Sequence, residues 1–104
     1  MSIVAVGHED DVAPGGALRV VVDDTPIAIF NVDGEYYAIG DTCTHEEFSL
    51  ADGELVGDFT VECALHGAQF DIRTGRALTL PATGSAGSYP VWVEDGELKV
   101  EVPD

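Results

Sequence analysis

The chain has 104 residues and a formal net charge of −16, from 20 acidic and only 4 basic residues. This length suits a single domain with one hydrophobic core, and a hydrophobic content of 45% argues against a disordered chain. The charge would repel nucleic acid and anionic lipid, so neither is expected as a partner. It favours a partner with a basic surface, or it only maintains solubility or reflects a salt-rich habitat.

The first ten residues lack both the basic residues and the long apolar centre of a secretion signal. No apolar run in the chain reaches membrane-spanning length. We therefore expect a cytoplasmic protein. In that reducing compartment, its two cysteines are expected to be metal ligands or redox groups rather than a structural disulfide. His8 stands alone, so we expect a solvated surface residue without a role.

Short apolar runs separated by Gly or Pro predict an all-β domain. In chain order, "ALRVVV" predicts a strand, and "IAIFNVDGEYYAI" predicts a hairpin whose turn is Asp33-Gly34. The middle of the chain offers the shorter strands "ELVG", "FTVEC" and "QFDI", with "ADG" and "RTG" as turns and "LPATGSAGSYP" as a long connection. The segment "YPVWVEDGELKVEV" then predicts a second hairpin at Asp95-Gly96.

This pattern predicts one domain over residues 1–104, in which an antiparallel β-sandwich framework carries a smaller loop-bearing subdomain. The framework comprises residues of about 1–40 and 84–104, and the insertion comprises residues of about 41–83. Phe30, Tyr89 and Trp92 are expected in the framework core, because large aromatic side chains are seldom left in solvent without a function.

The inserted region holds both cysteines and two of the three histidines of the chain. They form two compact pairs, Cys43-x-His45 and Cys63-x-x-His66, separated by 17 residues. A thiolate and an imidazole from each of two loops suit a soft or borderline metal centre. Zinc is an alternative, although structural zinc sites pair Cys with Cys and His with His. A catalytic Cys-His pair would leave the second pair unexplained. The third alternative is a [2Fe–2S] cluster in which two histidines replace two cysteines on one iron.

The sequence around both pairs resembles the Rieske family over nearly the whole chain, and in particular the small ferredoxins of bacterial aromatic-ring-hydroxylating dioxygenases. "CTHEEFSLADGEL" and "VECALHGAQFDIRTG" are similar to the two cluster loops of these ferredoxins. The resemblance implies one [2Fe–2S] cluster, with Cys43 and Cys63 on one iron and His45 and His66 on the outer, more exposed iron. It further implies that Pro81 belongs to a third loop that covers the cluster.

Two neighbours of the second pair bear on the reduction potential. Respiratory Rieske proteins of high potential place Ser and Tyr hydroxyls where this chain has Ala68 and Phe70, which donate no hydrogen bond to a cluster sulfur. We therefore expect a potential near the low end of the Rieske range, about −150 mV. Gly67 would let backbone N–H groups approach a sulfur, or is a plain turn glycine. Glu46 and Glu47 are either docking groups for basic residues of a partner or solvated loop acids.

The resemblance implies a one-electron carrier in aromatic hydrocarbon catabolism, not an enzyme. It would take electrons from an NAD(P)H-dependent flavoprotein reductase and deliver them to a terminal oxygenase. A small Rieske subunit of a nitrite-reductase-like complex, a redox sensor and a zinc-binding structural module are the rival interpretations. We expect a monomer.

Overall fold

The computed structural model describes residues 2–22, 24–41, 50–56, 59–62, 69–78 and 87–102. Within these residues the strands pair only in antiparallel fashion, which confirms the all-β prediction. The strands are β1 (Ser2–His8), β2 (Ala17–Val22), β3 (Thr25–Val32), β4 (Glu35–Gly40), β5 (Glu54–Leu55), β6 (Thr60–Glu62), β7 (Gln69–Asp71), β8 (Ser88–Tyr89), β9 (Val91–Glu94) and β10 (Glu97–Val102). Two short 3₁₀ helices span Glu9–Asp11 and Leu50–Asp52.

The strands form three sheets, ordered β1-β10-β9, β2-β3-β4-β8 and β5-β6-β7. The middle strands of the central sheet, β3 and β4, are buried on both faces. Alternate residues of a strand point to opposite faces, and in β3 Ile27 and Ile29 join one core while Ala28 and Phe30 join the other. This explains why the β3 sequence is apolar without alternation.

The first core lies between the central sheet and β1-β10-β9, where Leu98, Val100 and Val102 meet Ile27 and Ile29. The second core lies on the opposite face of the central sheet. It brings Phe30 and Ile39 against side chains of the inserted region, namely Leu50, Val61, Phe70 and Ile72. Because all of these side chains are buried, the small sheet β5-β6-β7 is firmly packed against the framework. The proposed boundaries between framework and insertion stay a prediction.

Both predicted hairpin turns are confirmed. Asp33 and Gly34 have φ of 52° and 90°, and Asp95 and Gly96 have φ of 53° and 81°. Positive φ at both central residues is the type I′ signature that matches the twist of the flanking strands, and Asp tolerates it better than most side chains do. The strand predicted from "ALRVVV" is β2.

Other local predictions were incomplete. No strand was predicted before Ala17, yet β1 forms there by pairing with β10 from the other end of the chain. The predicted "ADG" turn is largely the 3₁₀ helix Leu50–Asp52. The end of the predicted long connection contains β8, which pairs with β4. These elements depend on distant partners, which local patterns do not reveal.

The aromatic predictions were partly right. Phe30 is buried as expected, and Tyr89 packs at the edge of the first core. Trp92 is only partly buried and is wrongly placed by the sequence: Val91 and Val93 face the first core, so the intervening Trp92 points away from it. Its indole N–H donates to Glu94, with 3.4 Å between Nε1 and Oε2.

His8 is exposed, as predicted, but it has a local role. Its Nδ1 accepts a hydrogen bond of 3.1 Å from the backbone N–H of Asp10, and its own N–H donates to the Asp11 carboxylate. This reciprocal arrangement caps the first 3₁₀ helix. Among the described residues, no helix is long and apolar enough to cross a membrane.

Candidate metal centre

The predicted ligands lie outside the described residues. Cys43 and His45 belong to segment 42–49, here called the first ligand segment, and Cys63 and His66 belong to segment 63–68, the second ligand segment. Pro81 lies in segment 79–86, the third segment. Glu46, Glu47, Gly67 and Ala68 also fall within these segments. The structure therefore bears on the site through the residues at which the three segments begin and end.

The two ends of the first ligand segment are bonded to each other. The Leu50 N–H donates to the Asp41 carbonyl oxygen at 2.6 Å, and the Ala51 N–H donates to the Asp41 carboxylate oxygen Oδ1 at 2.9 Å. The second carboxylate oxygen, Oδ2, accepts a hydrogen bond from Arg19 Nε at 2.9 Å. Asp41 thus closes the base of this segment and is held in place by an arginine of the framework.

The second ligand segment starts and ends on adjacent strands. Glu62 on β6 pairs directly with Gln69 on β7. Their side chains also join, because Gln69 Nε2 donates to Glu62 Oε2 at 3.1 Å. This segment is therefore the connection of a hairpin, closed by the sheet ladder itself.

Gly53 brings the first two segments together. A Cβ atom at Gly53 would lie 2.3 Å from the Glu62 carbonyl oxygen and 3.1 Å from the Leu50 carbonyl oxygen. Leu50 follows the first ligand segment and Glu62 precedes the second. The close approach at this glycine therefore places the end of one ligand segment beside the start of the other.

The third segment begins beside the second ligand segment and ends beside the first. The Leu78 N–H donates to the Gln69 carbonyl oxygen at 2.7 Å, which puts the start of the third segment beside the end of the second. At its other end, the Gly87 carbonyl oxygen accepts from the Gly40 N–H at 3.1 Å, one residue before Asp41. The residues that flank the three segments are thus joined by backbone hydrogen bonds or close contacts, and the assignment of two ligand loops and a covering loop stays a prediction.

A packed core lies next to these flanking residues. Leu50, Val61, Phe70 and Ile72 are all fully buried. Phe70 is one of the residues that the sequence placed near the cluster as a side chain unable to donate a hydrogen bond, and its ring is part of this core. The described residues at the ends of the ligand segments therefore belong to a densely packed base.

A second group of interacting side chains lies at the other end of β6 and β7. Arg73 donates to the Asp71 carboxylate through Nε and Nη2, both at 3.1 Å, and its guanidinium carbon lies 4.4 Å from the centre of the Phe59 ring. Tyr37 meets the same ring edge-on, with 5.6 Å between ring centres. These contacts link β4 to the small sheet, and no sequence pattern indicated them apart from the turn predicted at "RTG".

The electrostatics of this second group follow from its contacts. The hydrogen bond from Arg73 lowers the pKa of Asp71 below its ordinary value of 3.8. The Tyr37 hydroxyl donates to Glu35 at 2.9 Å, and this bond raises the pKa of Tyr37 above its ordinary value of 10.0. In the part of the chain that the structure describes, no group of three or more His, Cys, Asp or Glu side chains is arranged to hold a metal ion.

The four predicted ligands indicate which metal group would suit the site. Two thiolates and two imidazoles are the ligand set of a Rieske [2Fe–2S] centre, in which histidines serve one of the two irons. Two loops can supply one centre only if they begin and end close together. The residues that flank the two ligand segments, among them Leu50 and Glu62, meet this requirement. The residues present therefore fit such a cluster.

Comparison with known proteins identifies the family, because residues 2–90 match the Rieske [2Fe–2S] domain. The chain belongs to the Rieske family. It is 50% identical over 95 residues to the 3-phenylpropionate/cinnamic acid dioxygenase ferredoxin subunit of Escherichia coli (strain K12), covering 90% of this chain and 88% of that subunit. This membership confirms the predicted cofactor, one [2Fe–2S] cluster.

Solved structures agree with the sequence relatives. The ferredoxin of carbazole 1,9a-dioxygenase from Nocardioides aromaticivorans IC177 matches with a TM-score of 0.89 and 31% identity, over 96% of this chain and 97% of that ferredoxin. A chain from a complex of reduced oxygenase and oxidised ferredoxin in carbazole 1,9a-dioxygenase matches with a TM-score of 0.85 and 36% identity, over 94% of this chain and 91% of that chain. The predicted resemblance to dioxygenase ferredoxins is confirmed.

Proposed function

We propose that this Rieske protein is the one-electron carrier of an aromatic-ring dioxygenase system, and that it takes electrons from an NAD(P)H-dependent flavoprotein reductase and delivers them to a terminal oxygenase. The observation that carries the proposal is the 50% identity to a dioxygenase ferredoxin subunit over 90% of the chain. The likeness to a chain in an oxygenase–ferredoxin complex supports the oxygenase as the electron acceptor. The protein itself converts no substrate.

Cys43, His45, Cys63 and His66 would hold the cluster. When bound, the cluster takes up and releases one electron. Two neutral imidazoles in place of two thiolates leave the site less negative, so reduction is easier than in a four-cysteine centre. The contribution of the chain is to hold both ligand segments at one end of a packed core, through the contacts of Asp41, Gly53 and Gln69.

The ligand assignment is tested by replacing each of the four residues in turn. His45→Ala and His66→Ala, like Cys43→Ser and Cys63→Ser, should abolish the stoichiometric iron, the acid-labile sulfide and the EPR signal of the dithionite-reduced protein. His8→Ala is the matched control, because His8 is the third histidine of the chain and caps a 3₁₀ helix of the framework. Loss of the cluster from the His8 variant alone, or its retention in the His45 variant, would contradict the assignment. A colourless wild-type protein containing zinc would support the rival structural module.

The electron path is tested by reconstitution. The purified ferredoxin, combined with a flavoprotein reductase and a terminal dioxygenase, should couple NAD(P)H oxidation to hydroxylation of an aromatic substrate. The same ferredoxin should not support nitrite reduction with a nitrite reductase catalytic subunit. The opposite pattern would favour the rival interpretation as a nitrite reductase small subunit.

The reduction potential is a separate test. A midpoint potential of about −150 mV is expected in voltammetry, and a midpoint well above zero would refute the argument from Ala68 and Phe70.

Docking through Glu46 and Glu47 is tested with a charge-matched control. Glu46→Gln with Glu47→Gln should lower the electron-transfer rate at low salt, because attraction between opposite charges raises the association rate. Glu94→Gln with Glu97→Gln removes the same charge from exposed positions beside the second hairpin turn. Equal rates for the two double variants would remove the docking role.

The proposal includes two statements about the protein in the cell and in solution. We place it in the cytoplasm, and we expect a monomer whose contacts with its redox partners are small and brief. Sedimentation of the cluster-loaded protein across a concentration range checks the monomer, and a mass near twice 11.0 kDa would contradict it.

A further inference from the structure

We propose that Asp41 and Arg19 are a positioning pair, which fixes the first ligand segment and whose two opposite charges bias the reduction potential of the centre. This inference rests on the proposed function, in which Cys43 and His45 are ligands. Asp41 lies two residues before Cys43 in the chain. No motif in the sequence marked either residue.

Asp41 uses its backbone and its side chain to close the segment. Its N–H donates to the Pro26 carbonyl oxygen at 3.0 Å, which ties it to the start of β3. Its carbonyl oxygen and its Oδ1 accept hydrogen bonds from Leu50 and Ala51, the two residues that follow the first ligand segment. Because both ends of the segment are fixed to one residue, loss of the bonds to the Asp41 carboxylate would let the two ends move relative to each other.

The cost of burial makes the arginine necessary. The Asp41 side chain is only 2% exposed, whereas the Arg19 side chain is 52% exposed and remains partly hydrated. A buried carboxylate without a partner is strongly unfavourable, and here Arg19 Nε supplies the charged donor at 2.9 Å. Arg19 lies on β2, so the ion pair reaches from the edge of the central sheet to the residue after β4.

The fold could be as stable with two apolar side chains in place of Asp41 and Arg19. A buried ion pair contributes little net stability compared with apolar side chains of the same volume, but it demands a particular geometry. The second ligand segment needs no such device, because the ladder between Glu62 and Gln69 closes it. The first ligand segment does not join two paired strands in this way. Its ends are joined instead by hydrogen bonds to Asp41, one of which is accepted by the side-chain carboxylate.

The two charges should act on the potential in opposite directions. Reduction makes the centre more negative, so a nearby positive charge favours the reduced form and a nearby negative charge disfavours it. Arg19→Gln should therefore lower the midpoint potential, and Asp41→Asn should raise it. The double variant should return towards the wild-type value. A purely structural role would cause loss of the cluster in both single variants without shifts of opposite sign.

The experiment uses the cluster-loaded protein and a matched pair of controls. Asp71 and Arg73 form a second aspartate–arginine pair, with the same 52% exposure of the arginine side chain, at the end of β6 and β7 away from the second ligand segment. The variants are Asp41→Asn, Arg19→Gln, their combination, Asp71→Asn and Arg73→Gln. Each is measured for iron and sulfide content, for the EPR g values of the reduced form, for the midpoint potential and for the rate of cluster loss in the presence of a chelator.

We expect Asp41→Asn to lose its cluster about tenfold faster than wild type, the effect of losing one charge-assisted hydrogen bond. Its g values should change, and its potential should shift oppositely to that of Arg19→Gln. The Asp71 and Arg73 variants should retain the wild-type g values and potential. If Asp41→Asn does not fold, Arg19→Gln against Arg19→Lys carries the test, because lysine restores the charge and should restore the potential.

Two failures are distinguishable. If the wild-type protein shows no [2Fe–2S] EPR signal, the proposed function fails. If the wild-type signal is present but the Asp41 and Arg19 variants behave like the Asp71 and Arg73 variants, only the positioning inference is overturned. Potential shifts of the same sign in both single variants would overturn it equally.

Discussion

Gly53 is a position at which a single methyl group should disturb the base of both ligand segments. A Cβ there would lie 2.3 Å from the Glu62 carbonyl oxygen, where ordinary contacts begin at 3.4 Å. The neighbouring atom is backbone within a paired strand, so it has little freedom to move away. Relief of the clash therefore requires a displacement of about 1 Å between the ends of the two ligand segments, in a region that is close-packed.

The magnitude follows from two opposing effects. Overpacking of this kind costs about 1–3 kcal/mol. Replacing glycine by alanine also restricts the unfolded chain, which stabilises the protein by about 0.4–1 kcal/mol. The clash dominates, so Gly53→Ala should lower the free energy of unfolding by roughly 1–2 kcal/mol, a fall in Tm of about 5–15 °C for a domain of this size. It should also speed the loss of iron.

Gly7→Ala is the matched control for this prediction. Its Cβ would meet the Asp11 carboxylate oxygen Oδ2 at 3.0 Å, and because this atom is the tip of an exposed side chain, a shift of a few tenths of an ångström relieves the contact at the expense only of the capping bond to His8. Its Tm should stay within about 3 °C of wild type, as is usual for a surface substitution. Thermal unfolding and chelator-driven iron release of the cluster-loaded variants provide the measurements. If Gly53→Ala is no more harmful than Gly7→Ala, the ligand segments are not held together at Gly53.

Three further predictions concern the core and the second group of side chains. Phe70→Ala should lower the free energy of unfolding by about 3–5 kcal/mol in urea denaturation, because it leaves a cavity in a fully buried site. The pKa of Asp71 is lowered by Arg73, so its ionised form stabilises the fold above pH 3.8 and this contribution is lost as the pH falls through the lower, folded value. Asp71→Asn should therefore be less stable than wild type at neutral pH, and the difference should shrink on acidification; a constant difference would contradict the linkage. The pKa of Tyr37 is raised by its bond to Glu35, so its contribution is present below pH 10.0 and is lost as the pH rises through the folded value. Tyr37→Phe should remove that alkaline loss, which chemical unfolding at a series of pH values measures.

Several features of this protein could be predicted from short stretches of its sequence. Asp33-Gly34 and Asp95-Gly96 predict tight turns because few other dipeptides adopt positive φ twice, and both turns form. The Cys43–His45 and Cys63–His66 pairs suit a soft or borderline metal centre, and the resemblance of the surrounding sequence to the Rieske family predicts that this centre is a [2Fe–2S] cluster. Trp92 shows the limit of such reasoning, since hydrophobicity alone does not tell which face of a strand is buried.

The sequence by itself determined the all-β class and the hairpins and predicted the ligand set, because each depends on residues that are close in the chain. The tertiary structure alone decided that β3 is covered on both faces, that β1 joins β10, and that Asp41 is bonded to Arg19. It also brought the ends of the three segments together around Gly53 and Gln69. These contacts join residues far apart in the chain, and their energies arise only when packing has excluded water from between them.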